Sequence, residues 1–193
     1  MAREENSENS GLPRPGLFEP ELPEPWLPEP WLRGTLTEVD AVRRQVLHAL
    51  ELAGEDVTRW CAALSDAEMN ARPYGLASVA FHLRHIARSL DRLLTYAEGQ
   101  QLSGCQMDAL KTELAAGAVT EVVVAEVRAA LGEAERRIRL IPPTSYEAER
   151  GVGRKRLPSS VGGLLIHCAE HTQRHAGQAV TTAKVVVGMR ARS

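Results

Sequence analysis

Apolar residues recur every three or four positions through most of this chain of 193 residues, and this periodicity is the feature that most constrains its fold. No stretch alternates over a useful length with the two-residue period of a β-strand. Long amphipathic helices bury their apolar faces by packing against one another. The sequence therefore predicts an all-α four-helix bundle. The predicted helices cover residues 35–64, 76–98, 120–140 and 159–187.

The ends of these predicted helices carry residues that favour helix starts and stops. Residues with capping side chains stand at three of the starts: Thr35 or Thr37, Thr120, and Ser159 or Ser160. Gly99 fits the end of the second helix, because glycine readily adopts the left-handed conformation found there. The linker 99–119 is long, and a long crossover would let the second and third helices run parallel.

The first 33 residues differ in composition from the rest, since seven of the eleven prolines lie there. The sequence LPEPW occurs twice in tandem, at residues 22–26 and 27–31. Proline at this density favours an extended chain and opposes a helix, and we expect the first dozen residues to be disordered. Trp26 and Trp31 are expected to lie against the folded body or a partner subunit. The predicted parts are an N-terminal arm (1–33), a helical domain (34–187) and a short tail (188–193).

Charge and cysteine content exclude several classes of protein. A net charge of −2 argues against nucleic-acid binding through bulk electrostatics. No apolar stretch reaches the roughly 18 residues that a membrane span needs. The N-terminal sequence MAREENSENS lacks the apolar run of a signal peptide. Three widely spaced cysteines indicate reduced thiols, so a cytoplasmic protein without membrane or nucleic-acid partners is expected.

Five of the six histidines fall in two of the predicted helices, where their spacing suits a metal site. His167, His171 and His175 follow one another at four-residue steps, which place them one turn apart on nearly the same helix face. Two imidazoles at this spacing can chelate one ion, and a third ligand from another helix would leave an open coordination position. His82 and His85 on the second helix offer that third ligand.

A helical wheel orders these candidates. His171 and His175 lie nearest the apolar stripe of the fourth helix, which favours them as the chelating pair. On the second helix the wheel favours His82 over His85. His48 points away from the stripe of the first helix and is expected to be exposed.

The motifs of several familiar sites are missing. The sequence HTQRH lacks the glutamate that a zinc protease of the HExxH type uses as general base. No Glu-x-x-His occurs, which argues against a di-iron carboxylate bundle. Phosphate-binding glycine loops of the GxxxxGK[ST] and GxGxxG types are also lacking. Neutral imidazoles suit zinc, nickel, iron or copper, and the spacing does not choose among these metals.

Two segments, SVAFHLRHIARSLDRLL and GGLLIHCAEHTQRHAGQ, resemble the DinB/YfiT-like superfamily of small metalloproteins, a resemblance that covers about residues 34–187. It implies an up-down-down-up four-helix bundle with a metal ion near one end of the core. It also implies that His85, His171 and His175 are the ligands. We follow the family position for His85, although the wheel favours His82, and we keep His82 and His167 as residues that could support the site.

Some members of this superfamily transfer low-molecular-weight thiols to electrophiles. The leading hypothesis is therefore a thiol S-transferase that depends on a divalent ion (nickel, zinc or iron) and forms a homodimer. In this hypothesis, basic residues of the loop 141–158 could bind an anionic cosubstrate: Arg150, Arg154, Lys155 and Arg156. One alternative is a metal-dependent hydrolase, for which Glu149 and Glu170 are the candidate general bases. The other is a non-catalytic metal-binding or stress-response protein.

Overall fold

The computed structural model describes residues 27–190, and most of them are helical. Helices and strands follow one another along the chain as α1 (Ala41–Trp60), α2 (Asp66–Asn70), α3 (Val79–Ala97), α4 (Gly104–Lys111), α5 (Thr120–Leu140), β1 (Glu149–Val152), β2 (Leu157–Ser160) and α6 (Val161–Arg190). Single turns of 3₁₀-helix also occur, at Pro30–Leu32 before α1, at Pro73–Gly75 before α3 and at Pro143–Ser145 before β1. The prediction of a largely helical protein is confirmed.

One apolar core lies between the four long helices. Helix α3 packs against α5 and α6, and α1 packs against the same two helices. Each of the four contributes side chains with almost no solvent exposure, among them Val57, Leu83, Ile86, Leu90, Leu94, Val127, Ile138 and Leu165. These residues recur at the spacing of one helix face, as the periodicity predicts, and their burial supplies most of the stabilisation.

Polar contacts fix how the long helices sit beside one another. Gln173 of α6 donates to the carbonyl oxygen of Ala49 in α1 at 2.5 Å. Further along both helices, the Lys184 ammonium lies 4.1 Å from the centre of the Trp60 ring. The two contacts follow the same order along α1 and α6, and together they fix the register between these two helices.

Contacts between α3 and α5 also follow the same order along both helices. Arg88 donates to the Glu126 carboxylate at 2.9 Å near the middle of α3. Toward the C-terminal end of α3, Asp91 accepts a hydrogen bond from Arg137 of α5 at 2.8 Å, and Glu98 accepts one from the same guanidinium at 2.7 Å. The Arg137 side chain is only 10% exposed, and these partly buried ion pairs tie the two helices together.

Helix α1 is shorter than the predicted range 35–64, and its cap is a different residue. The chain turns before the helix, where Leu36 adopts a positive φ of 58°. Asp40 occupies the N-cap, and its carboxylate accepts hydrogen bonds from backbone amides of the first turn. The prediction that Thr35 or Thr37 caps the helix is therefore wrong, because Thr35 precedes this turn and Thr37 lies within it, ahead of Asp40.

The other predicted helix ends agree more closely with the structure. Helix α5 spans the predicted range, but the Thr120 side chain does not cap it. Instead, the Thr120 backbone amide donates to the Asp66 carboxylate at 2.7 Å. At the start of α6, the Ser160 hydroxyl accepts from the Gly163 amide at 3.1 Å, as an N-cap side chain does. Gly99 follows α3 with φ +81°, as predicted for a helix stop.

The two long linkers contain structure that the periodicity did not predict. Helix α4 lies in the first linker, where Ser103 and Gln106 cap its start reciprocally. Strands β1 and β2 lie in the second linker and pair antiparallel, with Glu149 opposite Ser160. Each strand has four residues, which is too short for an alternating pattern to be recognised in the sequence.

The second LPEPW repeat contacts the start of the helical body. Pro30 is buried in a 3₁₀ turn that packs against α1. Just after it, the Arg33 guanidinium bonds to the Glu55 carboxylate of α1 at 2.6 and 2.9 Å. Trp31 nevertheless stays 53% exposed, so its ring is not the main contact. The first repeat, with Trp26, lies outside the described residues.

The longest helix is α6, which continues to Arg190, beyond the predicted end at 187. Charged side chains lie on its exposed face, including Glu170, Arg174 and Lys184. Across residues 27–190, neither α6 nor any other helix combines the length and apolar character needed to cross a membrane.

Candidate metal centre

Three histidines from α3 and α6 meet where the two helices pack together. His85 projects from α3, while His171 and His175 project from α6 one turn apart. One ring nitrogen of each lies within 4.8 Å of one ring nitrogen of both others. Nε2 of His85 and Nε2 of His171 are 2.9 Å apart. The structure thus brings together the three residues that the sequence resemblance implies as ligands.

The protonation of these imidazoles favours metal binding. Burial, with the nearby His85 as the next cause, lowers the pKa of His171 and of His175 to about 4. Both rings are therefore neutral at pH 7. A neutral imidazole has one unprotonated nitrogen, and that lone pair is what a metal ion binds.

His82 lies beside this cluster but outside the group of three. Its Nδ1 is 3.0 Å from Nδ1 of His175, and the residue is only 5% exposed. Burial lowers the pKa of His82 to about 4, so this ring is neutral as well. The helical wheel favoured His82 because it lies nearer the apolar stripe, and His82 is indeed more buried than His85, but the group of three contains His85.

The two remaining histidines lie apart from the centre. His167 is one turn before His171, and its side chain is 43% exposed. Its ring centre is 5.2 Å from that of His171. His48 is buried, with 4% exposure, and a ring nitrogen lies 3.1 Å from the Thr35 hydroxyl. The prediction that His48 is exposed is wrong, because the segment before α1 folds over it.

A buried carboxylate that no sequence pattern indicated also contacts the site. Glu113 Oε2 lies 2.7 Å from Nδ1 of His85, and Arg92 donates to the other carboxylate oxygen at 2.7 Å. Burial acts to raise the pKa of Glu113, but the hydrogen bonds with His85 and Arg92 outweigh it and lower that pKa below its ordinary value. The carboxylate is thus ionised at pH 7.

Only part of the basic loop lines a cavity. Arg150 and Arg156 border a cavity of about 750 Å³ together with the hydroxyls of Ser159 and Ser160. Arg150 is already engaged, since its Nε donates to the Ala97 carbonyl oxygen at 2.7 Å. Two of the four predicted cations therefore face a space that a ligand could enter.

The residues present fit a divalent ion. His85 Nδ1 faces a carboxylate, so its proton lies on that nitrogen and its Nε2 directs a lone pair toward His171. Nδ1 of His171 is buried with no hydrogen-bond partner among residues 27–190. Nε2 of His85 and Nε2 of His171 lie 2.9 Å apart, and Nδ1 of His171 has no partner among these residues. Protein contacts alone therefore leave this group of ring nitrogens poorly satisfied. Three imidazoles form a donor set that zinc, nickel, iron or copper accepts.

The fold and the site define a class of helical protein with a candidate three-histidine metal centre. Residues 49–179 match the model of the DinB superfamily, a stretch that begins within α1 and extends past His175 in α6. The chain belongs to the DinB superfamily, which confirms the resemblance drawn from the sequence. No curated protein and no solved structure matches the chain significantly.

Proposed function

We propose that this protein is a divalent-metal-dependent enzyme that transfers a low-molecular-weight thiol to a small electrophile. The proposed ligands are His85, His171 and His175, and the proposed ion is nickel, zinc or iron. The observation that carries the proposal is the approach of these three imidazoles to within 4.8 Å of one another. Three protein ligands are typical of catalytic rather than structural metal sites, since a fourth position stays open.

Each part of the site has a role in this proposal. The four-residue step of α6 gives His171 and His175 a common direction, and α3 adds His85 from the opposite side. A divalent ion held there would lower the pKa of a thiol and stabilise its thiolate form. The rings are only partly buried, but this burial lowers the pKa of His171 and His175 and holds both neutral, ready to bind.

The cysteines of the chain support an external thiol. Cys168 lies in α6 one turn before His171 but is fully buried in the core, and burial raises its pKa to about 12. Burial also raises the pKa of Cys61 to about 12. Neither thiol is ionised near neutral pH, so neither supplies a nucleophile. We therefore propose that the thiol arrives as a cosubstrate and does not come from Cys61 or Cys168.

A cavity beside His82 offers room for a small substrate. It has a volume of about 490 Å³ and is lined on α6 by Arg174, Gln178 and Thr181. Leu76 adds an apolar wall before α3. We propose that the electrophile binds here, where its carboxylate or carbonyl oxygen would bond to the neighbouring amide and hydroxyl groups and to the Arg174 guanidinium, which pairs with Glu170 through Nη2.

The carboxylates considered as general bases for hydrolysis are poorly placed to take up a proton from water. The Glu170 carboxylate pairs with Arg174 at 2.9 Å and its side chain is 59% exposed. Glu149 lies in β1, where it pairs with Ser160 across the hairpin. Glu113, the carboxylate nearest the centre, bonds to the outer nitrogen of His85. These contacts are why we place thiol transfer ahead of hydrolysis.

We further propose an up-down-down-up order for the four long helices, within a domain of residues 34–187 that follows the arm 1–33 and precedes the tail 188–193. Two observations support the helix order. Contacts between α1 and α6, and between α3 and α5, advance in the same direction along both partners, as in parallel pairs. We also propose a homodimer in the cytoplasm, consistent with the buried free thiols.

Metal analysis tests the site. Protein purified without an affinity tag is analysed by elemental mass spectrometry, beside the double variant His171→Ala, His175→Ala. The matched control is His167→Ala, which removes an exposed histidine at the same four-residue step. We expect one nickel, zinc or iron ion per chain in the wild type and the control, and almost none in the double variant. Retention of metal by the double variant would refute the ligand assignment.

Activity assays then distinguish thiol transfer from hydrolysis and from metal binding without catalysis. The loaded protein is given a thiol and an electrophile, and thiol consumption is followed with and without the protein. We expect transfer that requires both the metal and the thiol. Turnover of esters or amides without added thiol would indicate a hydrolase instead. Metal binding without either reaction would indicate a non-catalytic metal-binding protein.

A further inference from the structure

We propose that Glu113 is a positioning residue that fixes the tautomer and ring orientation of His85, and so sets the metal affinity of the centre. This inference rests on the proposed role of His85 as a metal ligand. It concerns a carboxylate that binds no metal itself, since it contacts the ring nitrogen on the far side from the cluster.

The contact between Glu113 and His85 determines which ring nitrogen of His85 carries the proton. An ionised carboxylate only accepts hydrogen bonds, so the contact of 2.7 Å between Glu113 Oε2 and His85 Nδ1 requires a proton on Nδ1. A neutral imidazole has one such proton, and Nε2 is then left with its lone pair. That lone pair points at the cluster, where Nε2 of His171 is 2.9 Å away. Carboxylates on the outer nitrogen of metal-binding histidines fix the tautomer in this way.

The burial of Glu113 supports a role other than packing. Glu113 is 7% exposed, while the leucine that follows it, Leu114, is 77% exposed. An ordinary surface segment would show the reverse, because burying a carboxylate costs free energy unless it is paired. Between residues 110 and 117 of the described chain, Glu113 is the one buried residue. The backbone here thus turns a charge toward His85 and a leucine toward solvent.

A row of arginines on α3 holds this segment in place. Arg84, Arg88 and Arg92 stand one turn apart. Arg84 donates to the Ala115 carbonyl oxygen at 2.6 Å, and Arg88 donates to that of Ala109 at 2.8 Å. Arg92 holds the carboxylate itself at 2.7 Å. The three arginines therefore bond to the chain on both sides of the buried carboxylate and to the carboxylate itself. These bonds limit the movement of the Glu113 carboxylate away from the His85 ring.

The test compares two variants with a matched control. Glu113→Ala removes the acceptor, and Glu113→Gln keeps an acceptor oxygen without the charge. Glu126→Gln is the control, because Glu126 also pairs with an arginine of α3, at 2.9 Å from Arg88, but does not contact a histidine. Zinc affinity is measured by competition with a chromogenic chelator. Nitrogen-15 NMR of metal-free, histidine-labelled protein reports which ring nitrogen of His85 carries the proton.

We expect Glu113→Ala to weaken zinc binding by about 10–100-fold, Glu113→Gln by less, and Glu126→Gln not at all. The Nδ1–H signal of His85 should dominate in the wild type and give way to a mixture in Glu113→Ala. Wild-type affinity and an unchanged tautomer in Glu113→Ala would overturn the inference. If Glu113→Ala does not fold, as judged by circular dichroism, the zinc affinity and the His85 tautomer of Glu113→Gln test the inference instead.

Failure of the inference differs from failure of the proposed function. If the wild type binds none of zinc, nickel and iron, the ligand assignment fails, and the tautomer of His85 in metal-free protein still tests the role of Glu113. If the wild type binds zinc and all Glu113 variants bind it equally, the metal site stands and the positioning role falls.

Discussion

Replacement of Asp40 by asparagine should lower the stability of the fold in a pH-dependent way. Asp40 caps α1 and forms an ion pair with Arg43. It also accepts a hydrogen bond of 2.6 Å from the Tyr146 hydroxyl. Arg43 in turn donates to the carbonyl oxygens of Arg139 and Ile141 at 2.7 and 2.9 Å, at the end of α5. Asparagine can still cap a helix, so this change removes mainly the charge.

The magnitude follows from the pKa of the carboxyl group. Burial alone would raise the pKa of Asp40, but hydrogen bonds from Tyr146 and Arg43 outweigh it and hold that pKa at about 2, below its usual 3.8. Since each tenfold change in proton affinity is worth about 1.4 kcal/mol, the charge contributes up to about 2.4 kcal/mol. The side chain is 27% exposed, and solvent screening reduces this to about 1.5–2 kcal/mol.

The sign of the pH dependence follows from linkage. Because the pKa is lower in the folded state, the stabilisation is fully present above the unfolded pKa near 4 and is lost as pH falls through about 2. The free-energy difference between wild type and Asp40→Asn should therefore fall to about half its neutral value near pH 3.

Urea unfolding followed by circular dichroism, from pH 7 down to pH 3, measures this difference. The control is Glu133→Gln, which removes an exposed carboxylate that also pairs with an arginine, Arg136. Such surface pairs contribute little, so this control should stay close to wild type at every pH. A difference for Asp40→Asn that does not change with pH would refute the electrostatic reasoning and leave only a capping effect.

Three further predictions concern packing and thiol chemistry. Leu165→Ala should lower the free energy of unfolding by about 2–5 kcal/mol because this side chain is fully buried, whereas Leu157→Ala, at a position 60% exposed, should change it by less than about 0.5 kcal/mol in the same urea titration. His48→Gln should lower stability through the lost packing and the lost contact with Thr35, yet leave the metal content of the purified protein at its wild-type value. Ellman's reagent should react rapidly with Cys105 alone in the native protein, since the other two thiols are buried, and rapid modification of all three would contradict this arrangement.

The positions of the long helices could largely be predicted from the sequence. Helix α5 spans the predicted range, and α3 and α6 differ from theirs by up to three residues at each end. Prediction was less successful where distant segments decide the local structure. Asp40 caps α1 in a setting completed by Tyr146, which lies 106 positions further along the chain. The β-hairpin before α6 was missed because strands of four residues carry little periodic signal.

The candidate metal centre also combines features that could be predicted from the sequence with features that could not. His171 and His175 were recognisable as a pair because a four-residue step places side chains together in any α-helix. The wheel could not show that His85 rather than His82 joins them in the group of three. Glu113 was not recognisable at all, since it lies in a linker and reaches His85 only through the path of the chain after α4.

By itself, the sequence determined the features that depend on neighbours a few residues apart: the helices, the glycine stop after α3 and the metal-chelating spacing on α6. Backbone hydrogen bonding in a helix joins residues four apart, so a short window contains the information. Tertiary structure alone decided the rest: the burial of His48, the cap at Asp40 and the contact of Glu113 with His85. These depend on many weak contacts between distant segments, and their sum becomes fixed only when the whole core packs.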